Sequence, residues 1–185
     1  MGGDSSYSTT AAKRLRALRA EHLTPAVRPS SSTRRATRVH APAIIDLDVL
    51  DHIEAAAHEI VAETYTAVPT AGPAPSNPEA VYAWADQVTA HLPAERRQVR
   101  DALMLRQSLE HSLQAGEPAP VTALVRGESC PTCRCWGLMW SRADWVVLCA
   151  NRRCHDTVGL PTRWNLQQIC ERHVARVAAL QRTAT

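Results

Sequence analysis

Four cysteines in the last third of the chain have the spacing of a metal site. Cys130-Pro-Thr-Cys133 forms a C-x2-C pair, Cys149-Ala-Asn-Arg-Arg-Cys154 forms a C-x4-C pair, and 15 residues separate the two. Tetrahedral Zn²⁺ takes four thiolates at about 2.3 Å, and loops with two to four residues between cysteines let both sulfurs turn toward one ion. Two further cysteines lie close by in sequence: Cys135 beside the first pair and Cys170 beyond the second. The expected ligands are Cys130, Cys133, Cys149 and Cys154, and the expected cofactor is a structural Zn²⁺. Four protein thiolates leave no open position for water or substrate, so the site implies no catalysis. A thiol–disulfide reading of Cys130-Pro-Thr-Cys133 is the weaker one, because no βαβ pattern precedes it and a second cysteine pair follows.

The residues between the pairs have to bring them together, and their pattern suits that task. Trp136–Trp140 and Trp145–Leu148 are apolar, strand-like runs joined by the polar stretch Ser141-Arg-Ala-Asp144, which predicts a β-hairpin carrying one cysteine pair at each end. Trp136, Trp140 and Trp145 are expected to cover the hairpin face beside the site. So short a module has a tiny apolar core, so the metal is expected to supply much of its folding free energy, on the order of 10 kcal/mol.

A cysteine pair, a hairpin and a second cysteine pair resemble the zinc-ribbon superfamily, and the resemblance covers roughly 30 residues. It implies a small metal-stabilised β module of the kind found in transcription factors, polymerase subunits, primases and phage proteins. The chain departs from the family in two places. Arg134 stands where ribbons have a glycine after the first pair, and the second pair has four intervening residues, which leaves Cys135 or His155 open as alternative ligands. The layout of an alanine-rich helical part followed by a ribbon also resembles small proteins of actinobacterial phages. That likeness implies a host-cytoplasmic or virion location.

Composition bounds the rest. Of 185 residues, 45% are hydrophobic, but 30 are alanine and none is phenylalanine, so one thick core is not expected. The 21 basic residues are 20 arginines and Lys13, an excess that fits GC-rich coding. The N-terminal residues have no apolar signal region and no run approaches the ~18 apolar residues of a membrane span, so a cytoplasmic protein without a membrane partner is expected.

Charge divides the chain into blocks. Residues 1–42 hold 8 basic and 2 acidic groups, residues 43–117 hold 4 and 12, and residues 118–185 hold 9 and 4. The expected fold class is mainly α with a small β zinc ribbon. Residues 1–42 read as a disordered basic arm with a short helical stretch near Ala11–Glu21, whose Lys13, Arg14, Arg16, Arg19, Arg34, Arg35 and Arg38 could contact phosphates. Residues 43–117 read as a three-helix acidic region. Its helices are predicted over 46–66, after the Asn77-Pro78 cap, and over 94–115 before Gly116. Its narrow, alanine-rich stripes leave room for self-association. His52, His58, His91 and His111 lie on these helices without metal-site spacing and read as solvated or packing side chains.

Residues 118–161 form the ribbon, and 162–185 a C-terminal helix capped by Thr162, with Leu166, Ile169, Cys170, His173, Val177 and Leu180 on one face. Arg134, Arg142, Arg152, Arg153, Arg163, Arg172 and Arg176 are the candidate nucleic-acid contacts around the ribbon and along that helix. No paired carboxylates, nucleophile triad or phosphate loop points to an enzyme. The expected function is therefore that of a noncatalytic nucleic-acid-binding accessory or regulatory protein. A protein-interaction or virion-assembly component is the alternative.

Overall fold

The computed structural model describes residues 6–23 and 46–184. These comprise six helices, α1 (Tyr7–His22), α2 (Leu47–Ala67), α3 (Pro78–Thr89), α4 (Ala94–Gln114), α5 (Ala119–Arg126) and α6 (Leu166–Thr183), and three strands, β1 (Leu138–Ser141), β2 (Val146–Cys149) and β3 (Arg163–Trp164). The strands form one antiparallel sheet in the order β1-β2-β3.

The capping chemistry read from the acidic region is realised. The Asp46 side chain accepts from Val49 N at the start of α2, and Asn77 accepts from Glu79 N with Pro78 in the first turn of α3. Gly116, at φ 76°, turns the chain after α4, where a side chain would be strained.

The first correction concerns residues 1–42. Within the expected disordered arm, α1 is a 16-residue helix capped by Ser6 and packed against α3 and α4. Ala11, Leu15 and Leu18 are fully buried. Spacings of four and three put these residues on one face, and they fill the groove lined by Val81, Tyr82, Ala85, Leu103 and Met104. Its basic groups are partly spent inside the molecule. Arg16 and Arg19 both bind Glu79 in the first turn of α3, and Arg14 donates to the carbonyl and hydroxyl of Ser108. Within the described residues, arginines of the positive first block thus pair with an acid of the negative second block. Lys13 remains exposed, and Arg34, Arg35 and Arg38 lie outside the described residues.

Two further elements differ from expectation. Residues 119–126, read as the start of the ribbon, form α5 and bury Val121 and Val125. Residues 163–164, read as helix, form β3 alongside β2. The helix starts after them with Asn165 as its cap, in place of Thr162, and with a reciprocal capping box to Gln168.

The buried apolar residues fall into two clusters, and α4 serves both. Leu103 and Met104 face α1, α2 and α3, while Ala102, Leu109 and Leu113 face α5, the sheet and α6. Val99, expected on the α4 stripe, is 45% exposed, and Leu180, expected on the α6 face, is 58% exposed.

A polar chain runs through the first cluster. Gln107 donates to the Ala56 carbonyl (3.0 Å) and to Glu59 (2.9 Å), which leaves its amide oxygen for the Tyr82 hydroxyl at 2.8 Å. With its proton committed there, Tyr82 accepts from His111 Nε2 (2.9 Å), and His111 Nδ1 accepts from His52 Nε2 (2.9 Å). In this arrangement every bond points the same way and His111, accepting at Nδ1, is neutral, while burial lowers the pKa of His52. Burial, reinforced by His52 and two arginines, lowers His111 to about 3.

Candidate metal centre

The first cysteine loop follows α5 directly. The Arg134 N–H donates to the Cys130 carbonyl (2.8 Å) and Cys130 N–H donates to the Cys135 carbonyl (2.9 Å), closing a tight loop around the sulfurs. Arg134 adopts φ 60°. This is a left-handed backbone that favours glycine, here occupied by an arginine.

The second loop hangs from β2. Cys154 N–H donates to the Asn151 carbonyl (2.8 Å), and Ala150 N–H donates to the Gly137 carbonyl (2.7 Å), which ties the second loop to the segment entering β1. Thr162 holds both ends of the pair: its carbonyl accepts from Cys149 N–H, its N–H donates to the Cys154 carbonyl, and its hydroxyl lies 3.2 Å from Cys154 Sγ.

The hairpin register brings the loops together. Leu138 pairs with Cys149 and Trp140 with Val147, so the end of β2 lies beside the start of β1, next to the first cysteine loop. The sulfurs of Cys130, Cys133, Cys149 and Cys154 all lie within 4.8 Å of one another. Cys130 and Cys154 are 3.8 Å apart, and Cys133 and Cys149 are 3.7 Å apart. A tetrahedron with metal–sulfur bonds of about 2.3 Å has edges of about 3.8 Å, so both separations are those of ligands sharing one ion. The donor set and its size fit a metal ion.

The titration behaviour of the thiols differs across the cluster. The backbone N–H and thiol of Cys135 lower Cys133 to about 6, while burial pushes Cys149 up to about 12. At Cys154 the Thr162 hydroxyl pulls the pKa down, but burial and the neighbouring thiols outweigh it and raise the group to about 11. The Cys133 thiol is thus the one favoured as a thiolate, while those of Cys149 and Cys154 are held protonated.

Of the two alternative ligands, His155 is exposed, and its backbone pairs with Pro161. Cys135 is different: its sulfur lies 3.2 Å from Cys133 and 3.5 Å from Cys149, at the half-exposed side of the cluster. Cys170 is fully buried in α6, and burial raises its thiol.

The seven candidate arginines divide into two groups. Arg134, Arg142, Arg152, Arg153 and Arg163 are exposed, and among the described residues none of their guanidinium groups has a hydrogen-bond or ion-pair partner. Arg172 and Arg176 point back into the molecule: Arg172 donates to the Ser129 hydroxyl, and Arg176 grips Glu128. Glu128, which the sequence reading missed, is a buried carboxylate two residues before the first cysteine. It also accepts from His173 at 2.7 Å, and despite desolvation these partners hold its pKa down.

The tryptophans only partly do what was expected. Trp140 lies half-buried, edge-to-face with Trp145 at 6.1 Å. Trp136, located before β1 begins, is 73% exposed and covers nothing. Met139, Val158 and Leu160 add exposed apolar surface to the same module.

A cleft of about 520 Å³ separates the sheet from α2 and α4, with Glu59, Glu63, Glu110 and Arg106 on one wall and Trp140 and Trp145 on the other. Glu59 and Glu110 are both committed to Arg106.

Among the described residues no helix is long and apolar enough to cross a membrane. No protein-family model, curated protein or solved structure matches the chain, so its function has to be argued from the sulfur cluster and the surface around it.

Proposed function

We propose that the protein is a noncatalytic zinc-ribbon protein whose C-terminal module binds nucleic acid. Two cysteine loops joined by an antiparallel hairpin, with sulfur separations suited to one tetrahedral ion, support the ribbon. Four thiolates support zinc over harder cations, and a closed tetrathiolate supports a structural ion. The commitment of Glu59 and Glu110 to one arginine fits the absence of acid–base machinery from this reading.

The observation that carries the nucleic-acid reading is the set of five unpartnered guanidinium groups on residues 130–163. The two acids of that stretch are otherwise engaged. Asp144 accepts from the Ser141 hydroxyl, and Asp156 accepts from the N–H groups of Val158 and Leu160. The surface is left positive, and the 73%-exposed Trp136 supplies a ring on which a base can stack.

Binding of labelled single- and double-stranded DNA across a salt series tests this. The expected result is binding at low salt that weakens steeply as salt rises, with a log–log slope reduced by roughly 0.7–0.9 for each arginine lost from Arg152 and Arg153. No binding at low salt, or binding indifferent to salt, contradicts it.

One observation favours a second reading, a protein-interaction or virion-assembly role. Trp136, Met139, Val158 and Leu160 are all half-exposed or more, and exposed apolar side chains of that kind also dock proteins. Salt-insensitive co-purification with a capsid, tail or polymerase protein would favour it over nucleic acid.

A further inference from the structure

A fifth sulfur, that of Cys135, borders the four that lie within 4.8 Å of one another. Cys135 Sγ lies 3.5 Å from Cys149, close to the edge length of a tetrathiolate site, and 3.2 Å from Cys133, well short of it. Two sulfurs 3.2 Å apart do not fit as neighbouring vertices of one tetrahedron of about 3.8 Å edge; Cys133 holds the vertex next to Cys149, and Cys135, outside the mutually close four, would reach it by swinging in as Cys133 leaves. The other three ligands are fixed: Cys130, Cys149 and Cys154 are buried at 0%, 5% and 3% exposure. Cys133 and Cys135 are both half-exposed and are separated by the single residue Arg134, whose φ of 60° turns the chain between them. The Cys130 N–H to Cys135 carbonyl bond holds Cys135 against the site whether or not its sulfur is bound.

We infer that Cys133 and Cys135 are interchangeable fourth ligands, a proposal that rests on the zinc-ribbon reading. In the exchange the metal–sulfur bond to Cys133 breaks as the bond to Cys135 forms. Cys135 gives up its thiol proton and the released Cys133 thiolate takes one, so the charge of the site is unchanged. The metal always keeps four sulfurs, and one thiol is always displaced at the half-exposed edge. This makes the ribbon tolerant of damage to either cysteine and places one reactive thiol beside the metal.

Cobalt(II) reports the number of sulfur ligands through its charge-transfer and ligand-field absorption, and can be titrated into the full-length reduced protein. Wild type, Cys133→Ser and Cys135→Ser are expected to give the same four-sulfur spectrum, with affinities within about tenfold of one another. The double variant and Cys154→Ser, which has no spare neighbour, are expected to give three-sulfur spectra and at least about hundredfold weaker binding. A four-sulfur wild type with a three-sulfur Cys133→Ser overturns the exchange and leaves the ribbon standing. A wild type that takes up no cobalt contradicts the ribbon itself.

Should Cys133→Ser fail to fold, alkylation of the zinc-loaded wild type decides. Iodoacetamide label divided between Cys133 and Cys135 supports the exchange, and label confined to Cys135 overturns it.

Discussion

Arg176 Nη2 lies 2.6 Å from Glu128 Oε1, and this contact fastens the C-terminal helix to the entrance of the first cysteine loop. The carboxylate is 1% exposed while the arginine is 43% exposed, so the pair is buried on one side only. Among the described residues, the charged partners of Glu128 are Arg176 and His173. One of the arginines expected to face nucleic acid therefore has a structural task.

Removing that partner strands the charge. Arg176→Ala is expected to destabilise the protein by about 2 kcal/mol, less than a fully buried pair would lose because water still reaches the arginine side. Arg152→Ala, which breaks no contact, is expected to stay within about 0.5 kcal/mol of wild type. Urea denaturation of both variants checks this, and equal losses would mean that Glu128 is not held as described.

The first helix gives a second prediction. Leu15→Ala or Leu18→Ala removes a fully buried side chain from the seam between α1 and α4 and is expected to cost about 3 kcal/mol. If residues 7–22 were a solvated arm, neither substitution would move the denaturation midpoint.

The buried imidazole chain makes stability depend on pH. His111 titrates near 3 in the fold against about 6.5 unfolded, so the unfolded chain binds more protons between those values. The stabilisation is complete above about pH 6.5 and is lost as pH falls toward 3. Against His111→Gln, which lacks the titrating ring, the stability advantage of wild type should shrink by a few kcal/mol over that window. Reading the difference between the two proteins cancels the acid sensitivity of the thiolates. A difference that stays constant from pH 7 to pH 4 would rule the mechanism out.

What could be read from the sequence follows from how each feature is encoded. The helices beginning at Leu47 and Pro78 carry local side-chain caps, all three helices from Leu47, Pro78 and Ala94 carry periodic apolar faces, and the sulfur cluster is written as cysteine spacing; these signals survive without tertiary context. The helical stretch near Ala11–Glu21 was legible but the packing of α1 was not, because its buried face is only Ala11, Leu15 and Leu18 among arginines, and such a stripe is buried only by the groove it enters. The β3 pairing of Arg163–Trp164 with Val147–Leu148 is two residues long and has no sequence period to show. The role of Glu128 depends on two side chains 45 and 48 residues away. Cys135 was visible as a rival ligand, but only the distances to Cys133 and Cys149 show how closely it competes.

If a tetrathiolate zinc ion organises the C-terminal module as proposed, four of the five tryptophans, between Trp136 and Trp164, can report on it. The most direct measurement is tryptophan fluorescence while Zn²⁺ is returned to the chelated, fully reduced protein. The expected result is a change completed at one ion per chain, absent in Cys149→Ser and reversed by renewed chelation. Fluorescence that is identical with and without metal, alongside no retained zinc, would contradict the account.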